Sequence, residues 1–163
     1  MLATIKEGLH PGCIGRIVQL HAEYYADSNG FGVAFEAKVA RELADFCQNY
    51  KFGRDGIWLI ECDARIEGSV VIDGSKAEND GAHLRWFITS DAVKNQGVGK
   101  RMLQEAMMFV DSCSYKKTYL WTFSGLNAAR HLYESCGFKL VHESPGNQWG
   151  SVVIEQKFLR GVA

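Results

Sequence analysis

The feature that most constrains this chain is the run Leu84–Ser114, in which a short apolar stretch, LRWFIT, leads through a polar turn into a long amphipathic segment. The turn holds Gly97-Val98-Gly99, and apolar residues then recur at Leu103, Ala106, Val110 and Cys113, widened by Met102 and Phe109. That spacing is one face of an α-helix. A strand that passes through a G-x-G into a helix brings bare backbone N–H groups forward, because no Cβ blocks the approach. The first helical turn adds unpaired donors and the positive end of the dipole, which suit an anionic group such as a pyrophosphate. Simple turn chemistry uses the same two glycines. The run is neither a G-x-x-x-x-G-K-[ST] loop, since Lys100-Arg101 follows the second glycine, nor a complete G-x-G-x-x-G.

Upstream, Ala3–Glu7 reads as a strand closed by Gly8 and the His10-Pro11-Gly12 turn. Two amphipathic helices follow. The first carries Ile14, Ile17, Val18, His21 and Tyr24 or Tyr25 on one face and stops at Asp27–Gly30; the second covers about Val33–Asn49, with Phe35, Val39, Leu43, Phe46 and Tyr50. A strand pair, Ile57–Cys62 and Ile66–Ile72, turns at Asp63-Ala64-Arg65, with Glu67-Gly68-Ser69 suited to a bulge or an exposed edge. Asp73–Gly81 is a polar loop before strand His83–Thr89, turn Ser90–Gln96 and helix Gly97–Ser112. Lys117–Phe123 is then a central strand. A short helix opens near Asn127, shows Ala129, Leu132, Tyr133 and Cys136 on its face, and stops at Gly137. Phe138–Glu143 and Ser151–Phe158 are final strands around Pro145-Gly146-Asn147. The order β-α-α-β-β-β-α-β-α-β-β predicts an α/β (α+β) fold: one mixed, mainly antiparallel sheet of about seven strands, with about four helices on both faces.

With 163 residues and no repeat or linker, the expectation is one domain over residues 1–163. A net charge of −1 gives no reason to expect nucleic acid through bulk electrostatics. No apolar run reaches membrane-spanning length, and the start, MLATIKEGLHPG, lacks the pattern of a signal peptide, so a soluble cytoplasmic protein is expected. The five cysteines show no C-x-x-C and no His/Cys ligand spacing, which predicts free, mostly buried thiols and no metal.

The string VKNQGVGKRML, followed by NAARHLYESCGFKL, resembles the GNAT superfamily of N-acetyltransferases. Lys94-Asn95-Gln96-Gly97-Val98-Gly99 follows the family's [QR]-x-x-G-x-[GA] turn except for lysine in the first place. Ala129, Leu132, Tyr133, Gly137 and Phe138 match its A-x-x-[LI/F]-Y-x-x-x-G-F segment. HAEYY, FEAKVARELADF and YLWTF extend the similarity to the acetyltransferase domain of bacterial MarR-fused GNAT proteins, without their DNA-binding domain. Gly146-Asn147-Gln148-Trp149-Gly150 departs from that branch's His-His-Ser-Phe-Gly loop, so its acceptor does not carry over.

The resemblance implies an acetyl-CoA-dependent N-acetyltransferase acting on a primary amine, of a small molecule or a protein, by direct attack. A non-catalytic acyl-CoA sensor is the alternative. It implies a β-bulge around Phe87–Ile88 that splays this strand from Thr118–Phe123, with the pantetheine arm in the gap. Main-chain groups of Phe87, Ile88 and Thr89 would line the arm, N–H groups from Asn95, Gln96, Gly97, Val98, Gly99 and Lys100 would take the pyrophosphate, and Lys94 belongs to the same cofactor-binding turn. The Phe87 N–H would be the oxyanion donor. Tyr133 occupies the place of the acid that protonates the leaving thiolate, or is a core tyrosine. His83 is the candidate base, or a surface histidine at a strand entrance; His21 and Glu36 are rivals on the first two helices. Asn127 bonds the pantetheine, caps its helix, or both. Trp149, Trp86 and Tyr24 are candidates for an acceptor pocket. No nucleic acid, membrane or metal partner is implied, and the oligomeric state is open, a homodimer included.

Overall fold

Hydrophobic periodicity sets the layers. In the computed structural model, which describes residues 2–161, the elements run β1 Thr4–Glu7, α1 Cys13–Asn29, α2 Val33–Gln48, β2 Gly56–Cys62, β3 Arg65–Asp73, β4 Ala82–Thr89, α3 Val98–Ser112, β5 Lys117–Phe123, α4 Asn127–Ser135, β6 Lys139–Gly146 and β7 Val153–Gly161. This is the order expected from the sequence. The strands form one sheet, β1-β2-β3-β4-β5-β7-β6, antiparallel at every junction except β4–β5.

Strand β2 is buried on both faces, so its apolar residues divide by the pleat. Ile57 and Leu59 meet Ile17, Phe35, Val39, Leu43 and Phe46 of α1 and α2. Trp58 and Ile60 meet Met102, Leu103, Ala106 and Val110 of α3 on the opposite side, where α4 adds Tyr133.

Local chemistry accounts for the displaced boundaries. Gly97 has φ 70, so it caps α3 and the helix begins one residue later than expected, at Val98. Strand β6 continues through Pro145 and Gly146, opposite Ile154 and Val153. It is an edge strand, where a missing N–H leaves no ladder position vacant. At Glu67 the bulge is present but the exposed edge is not. Ile60 pairs with Gly68 and Glu61 with Ile66, leaving Glu67 as the extra residue of a strand flanked on both sides. Its buried carboxylate accepts from Arg16 Nη2 at 3.1 Å and from the Ser90 hydroxyl, which ties α1 to the end of β4. All five cysteines are free; Cys13 and Cys62 are buried, and the other three are half-buried rather than buried. Among the described residues no helix is long and apolar enough to cross a membrane.

Candidate active site

The parallel pair β4–β5 joins only at Ala82–Thr118 and His83–Tyr119. Beyond those residues the strands part. The cause lies in β4: Ser69 pairs with Ile88 and Val71 with Arg85, so Trp86 and Phe87 together face the single residue Val70. The bulge therefore sits at Trp86–Phe87, one residue before the Phe87–Ile88 position implied by the family resemblance, because Ile88 keeps its ladder partner. Trp86 takes φ 49, a left-handed conformation that a bulky side chain adopts only under constraint. The buried Ser69 hydroxyl donates to the Trp86 carbonyl at 2.7 Å, and the Arg85 guanidinium lies 4.1 Å from the indole centroid. Ser69→Ala removes the only side-chain donor to that carbonyl among the described residues. It should lower stability by about 1–3 kcal/mol, seen as a lower urea midpoint; an unchanged midpoint would show that the bulge holds itself.

A cavity of about 190 Å³ opens in the gap, walled by α1, α2, β4, β5, α4 and the β6–β7 loop. Of the residues singled out in the sequence, Phe87, Tyr133, His83, His21, Trp86 and Trp149 line it. Tyr24 and Glu36 do not; both are exposed, and Tyr25 takes the place considered for Tyr24. Tyr133 is 6% exposed, with ring centroids of Phe87 and Phe138 at 5.7 and 6.1 Å. Burial, with the neighbouring Tyr25, pushes its hydroxyl well above the ordinary tyrosine range. His83 stacks on Tyr119 at 4.4 Å. Burial first, then the charges of Arg85 and Lys157, push its pKa down to about 3 against the pull of Glu42. His21 Nδ1–H donates to the Ile17 carbonyl at 2.8 Å, since that partner can only accept. Burial outweighs this bond and lowers the His21 pKa to about 4. Both imidazoles are neutral at pH 7.

At the mouth of the gap lies the start of α3. The first bond closing the helix runs from the Arg101 N–H to the Gly97 carbonyl, so Val98, Gly99 and Lys100 present N–H groups without helical partners. A Cβ on Gly99 would meet Thr89 Cγ2 at 3.1 Å, which shows how closely helix and strand approach. Asn95 also has positive φ (63), bending the turn ahead of Gly97. Gln96 is committed elsewhere by its side chain, whose Oε1 accepts from the Ala3 N–H at 3.0 Å. Lys94 pairs with Asp91 at 2.9 Å, whereas Lys100 and Arg101 are exposed and form no ion pair among the described residues. Asn127 is the exposed first residue of α4; Leu126 holds the cap position and no side-chain cap bond forms. No group of His, Cys, Asp and Glu among the described residues is placed to hold a metal ion.

A bulged strand diverging from its parallel neighbour, with a bare helix N-terminus at the opening, is a specific arrangement. The model of the acetyltransferase (GNAT) domain matches residues 53–140, from the turn before β2 to the start of β6. The chain belongs to the GNAT acetyltransferases. A curated relative, the uncharacterized N-acetyltransferase YjgM of Escherichia coli (strain K12), is 28% identical over 152 residues, 90% of this chain and 86% of its own. A GNAT-family acetyltransferase from Staphylococcus aureus Mu50 superimposes with a TM-score of 0.75 at 14% identity, over 99% of this chain and 100% of its own. The yncA structure from Salmonella typhimurium, solved with its cofactor acetyl-CoA, gives 0.75 at 14% identity, over 100% and 95%. At such identities the likeness to the solved structures is one of fold.

Three charged residues of this GNAT site escaped the sequence reading. Glu42 of α2 accepts from Arg85 Nη2 and from Lys38 Nζ, the latter at 3.0 Å. Burial raises the Glu42 pKa, but the bonds and charges of Lys38 and Arg85 outweigh it, and the carboxyl sits below its usual range. The available signal was Arg85 itself, a cation inside the apolar strand LRWFIT.

Proposed function

We propose that the chain transfers the acetyl group of acetyl-CoA to a primary amine by direct attack within a ternary complex, residues 1–163 acting as one catalytic domain. The observation that carries this reading is the gap between β4 and β5 with the open end of α3 at its mouth. The pantetheine arm would lie in the gap, against main-chain groups of Phe87, Ile88 and Thr89. The pyrophosphate would take N–H groups of the turn from Asn95 through Lys100, with the unpaired charges of Lys100 and Arg101 beside it. Asn127, at the exposed start of α4, is available to the arm.

Amine attack on a thioester needs placement more than activation. Holding both reactants together contributes up to roughly 7–11 kcal/mol. The Phe87 N–H, turned by the bulge, serves as oxyanion donor, worth roughly 2.7–4 kcal/mol where such donors have been removed. Tyr133 gives its proton to the leaving sulfur. His83 orients the water that carries off the proton lost by nitrogen, since a pKa near 3 makes the imidazole too weak a base to keep that proton itself. Because its imidazole is already neutral, His83→Ala should lower kcat about tenfold or more at neutral pH without moving the midpoint of the pH–rate profile; a wild-type kcat would eliminate the role. The reaction is read by trapping CoA thiol across a panel of amines. Amine-dependent release is the expected result, and tight acetyl-CoA binding with no release from any amine would instead mark a sensor.

A further inference from the structure

We propose that the acceptor is an α-amino acid with an aromatic side chain, its carboxylate taken by Arg85 and its ring seated among Tyr25, Phe35, Trp86, Phe123 and Trp149. The inference rests on the acetyl-transfer reading and names the substrate class of that same site.

Charge is the first ground. Arg85 and Lys38 share one carboxylate, Glu42, and all three line the cavity. With His21 and His83 neutral, the cavity wall carries one positive charge in excess. An acceptor that is only cationic, such as a polyamine or a lysine side chain, would add to that charge with no free carboxylate to meet it. An acceptor that carries its own carboxylate restores the balance. The same excess disfavours the ammonium form of a bound amine and so favours the free base that attacks.

Pre-organisation is the second. Arg85 is fixed by Glu42 at Nη2 and by the Trp86 ring beneath it at 4.1 Å. Among the described residues nothing else bonds it, so the Nε and Nη1 donors remain available, and a substrate carboxylate can take a charge-assisted bond from either.

Shape is the third. Phe123 sits 5.7 Å from Tyr25 and 5.4 Å from Trp149, and Tyr25 lies 5.4 Å from Phe35, a ring-lined wall suited to edge-to-face packing. The volume of about 190 Å³ is of the order of the ~150 Å³ cavity that accepts a benzene ring. It is large enough to seat one ring. In the reaction the α-nitrogen bonds to the acetyl carbonyl carbon, the C–S bond breaks, and the proton lost by nitrogen is balanced by one gained on the CoA sulfur.

The test compares L-phenylalanine with 2-phenylethylamine, which lacks only the carboxylate, and with spermidine, following CoA release at saturating acetyl-CoA. Phenylalanine should exceed 2-phenylethylamine in kcat/KM by about tenfold or more, and Arg85→Gln should narrow the difference to about threefold, chiefly through KM. The wild-type comparison decides even if the variant folds poorly. Wild-type preference for 2-phenylethylamine or spermidine overturns the proposal and leaves acetyl transfer standing. So does acetyl-CoA binding, seen by calorimetry, with no release from phenylalanine. Absence of acetyl-CoA binding strikes the acetyl-transfer reading, and the acceptor assignment with it.

Discussion

Tyr133→Phe should lower kcat by more than about tenfold while the KM for acetyl-CoA stays nearly unchanged. The ring is held by Phe87, Phe138 and Phe158 at 5.7, 6.1 and 6.3 Å, contacts that phenylalanine keeps. The side chain lines the cavity and its hydroxyl makes no hydrogen bond among the described residues, so its removal leaves no partner stranded. Its proton is held by burial far above the ordinary range and stays in place across neutral pH until a basic sulfur forms beside it. A loss confined to kcat, with an unchanged urea midpoint, marks a group used only in the transition state. Wild-type kcat would return Tyr133 to the core.

Acid should destabilise the protein well before its carboxylates titrate. His21 is nearly inaccessible and held near pKa 4, against 6.5 for an ordinary histidine. Between those values the unfolded chain binds a proton that the folded chain refuses, so stability is complete above pH 6.5 and falls as pH drops toward 4. A gap of that size corresponds to about 3 kcal/mol. His83, held near 3 by burial and by the charges of Arg85 and Lys157 against the pull of Glu42, acts in the same direction. Urea unfolding compared between neutral pH and about pH 4.5 should show most of that loss, and His21→Gln should reduce the difference. Equal stability at the two pH values would mean that neither imidazole is kept neutral by the fold.

Local chemistry was readable from the sequence where one residue type had to do one job. Gly137 stops α4 because the chain needs a left-handed residue there, and the 3.6-residue period of α1, α2 and α3 points each helix at the sheet. The site resisted where it depends on partners distant in sequence. The bulge is tied down from the neighbouring strand, where Ser69 bonds the Trp86 carbonyl seventeen residues on. The Arg85–Glu42 pair joins residues 43 apart, so nothing in the local pattern of α2 singled out Glu42. Tyr24 and Tyr25 are adjacent on α1, and a small difference in helix phase decides which ring faces the cavity. Glu36 and Glu42 share α2, but only the latter turns toward β4. Period identifies a face; the choice among residues near its border is made by what packs against it.

The central claim is that main-chain groups of the parted strand and the start of α3 grip acetyl-CoA along its length. Titration of acetyl-CoA into the protein by calorimetry tests it most directly. Saturable heat at one site per chain, weakened by replacing Gly97 with valine, is the predicted result. No heat of binding would contradict the account at its root.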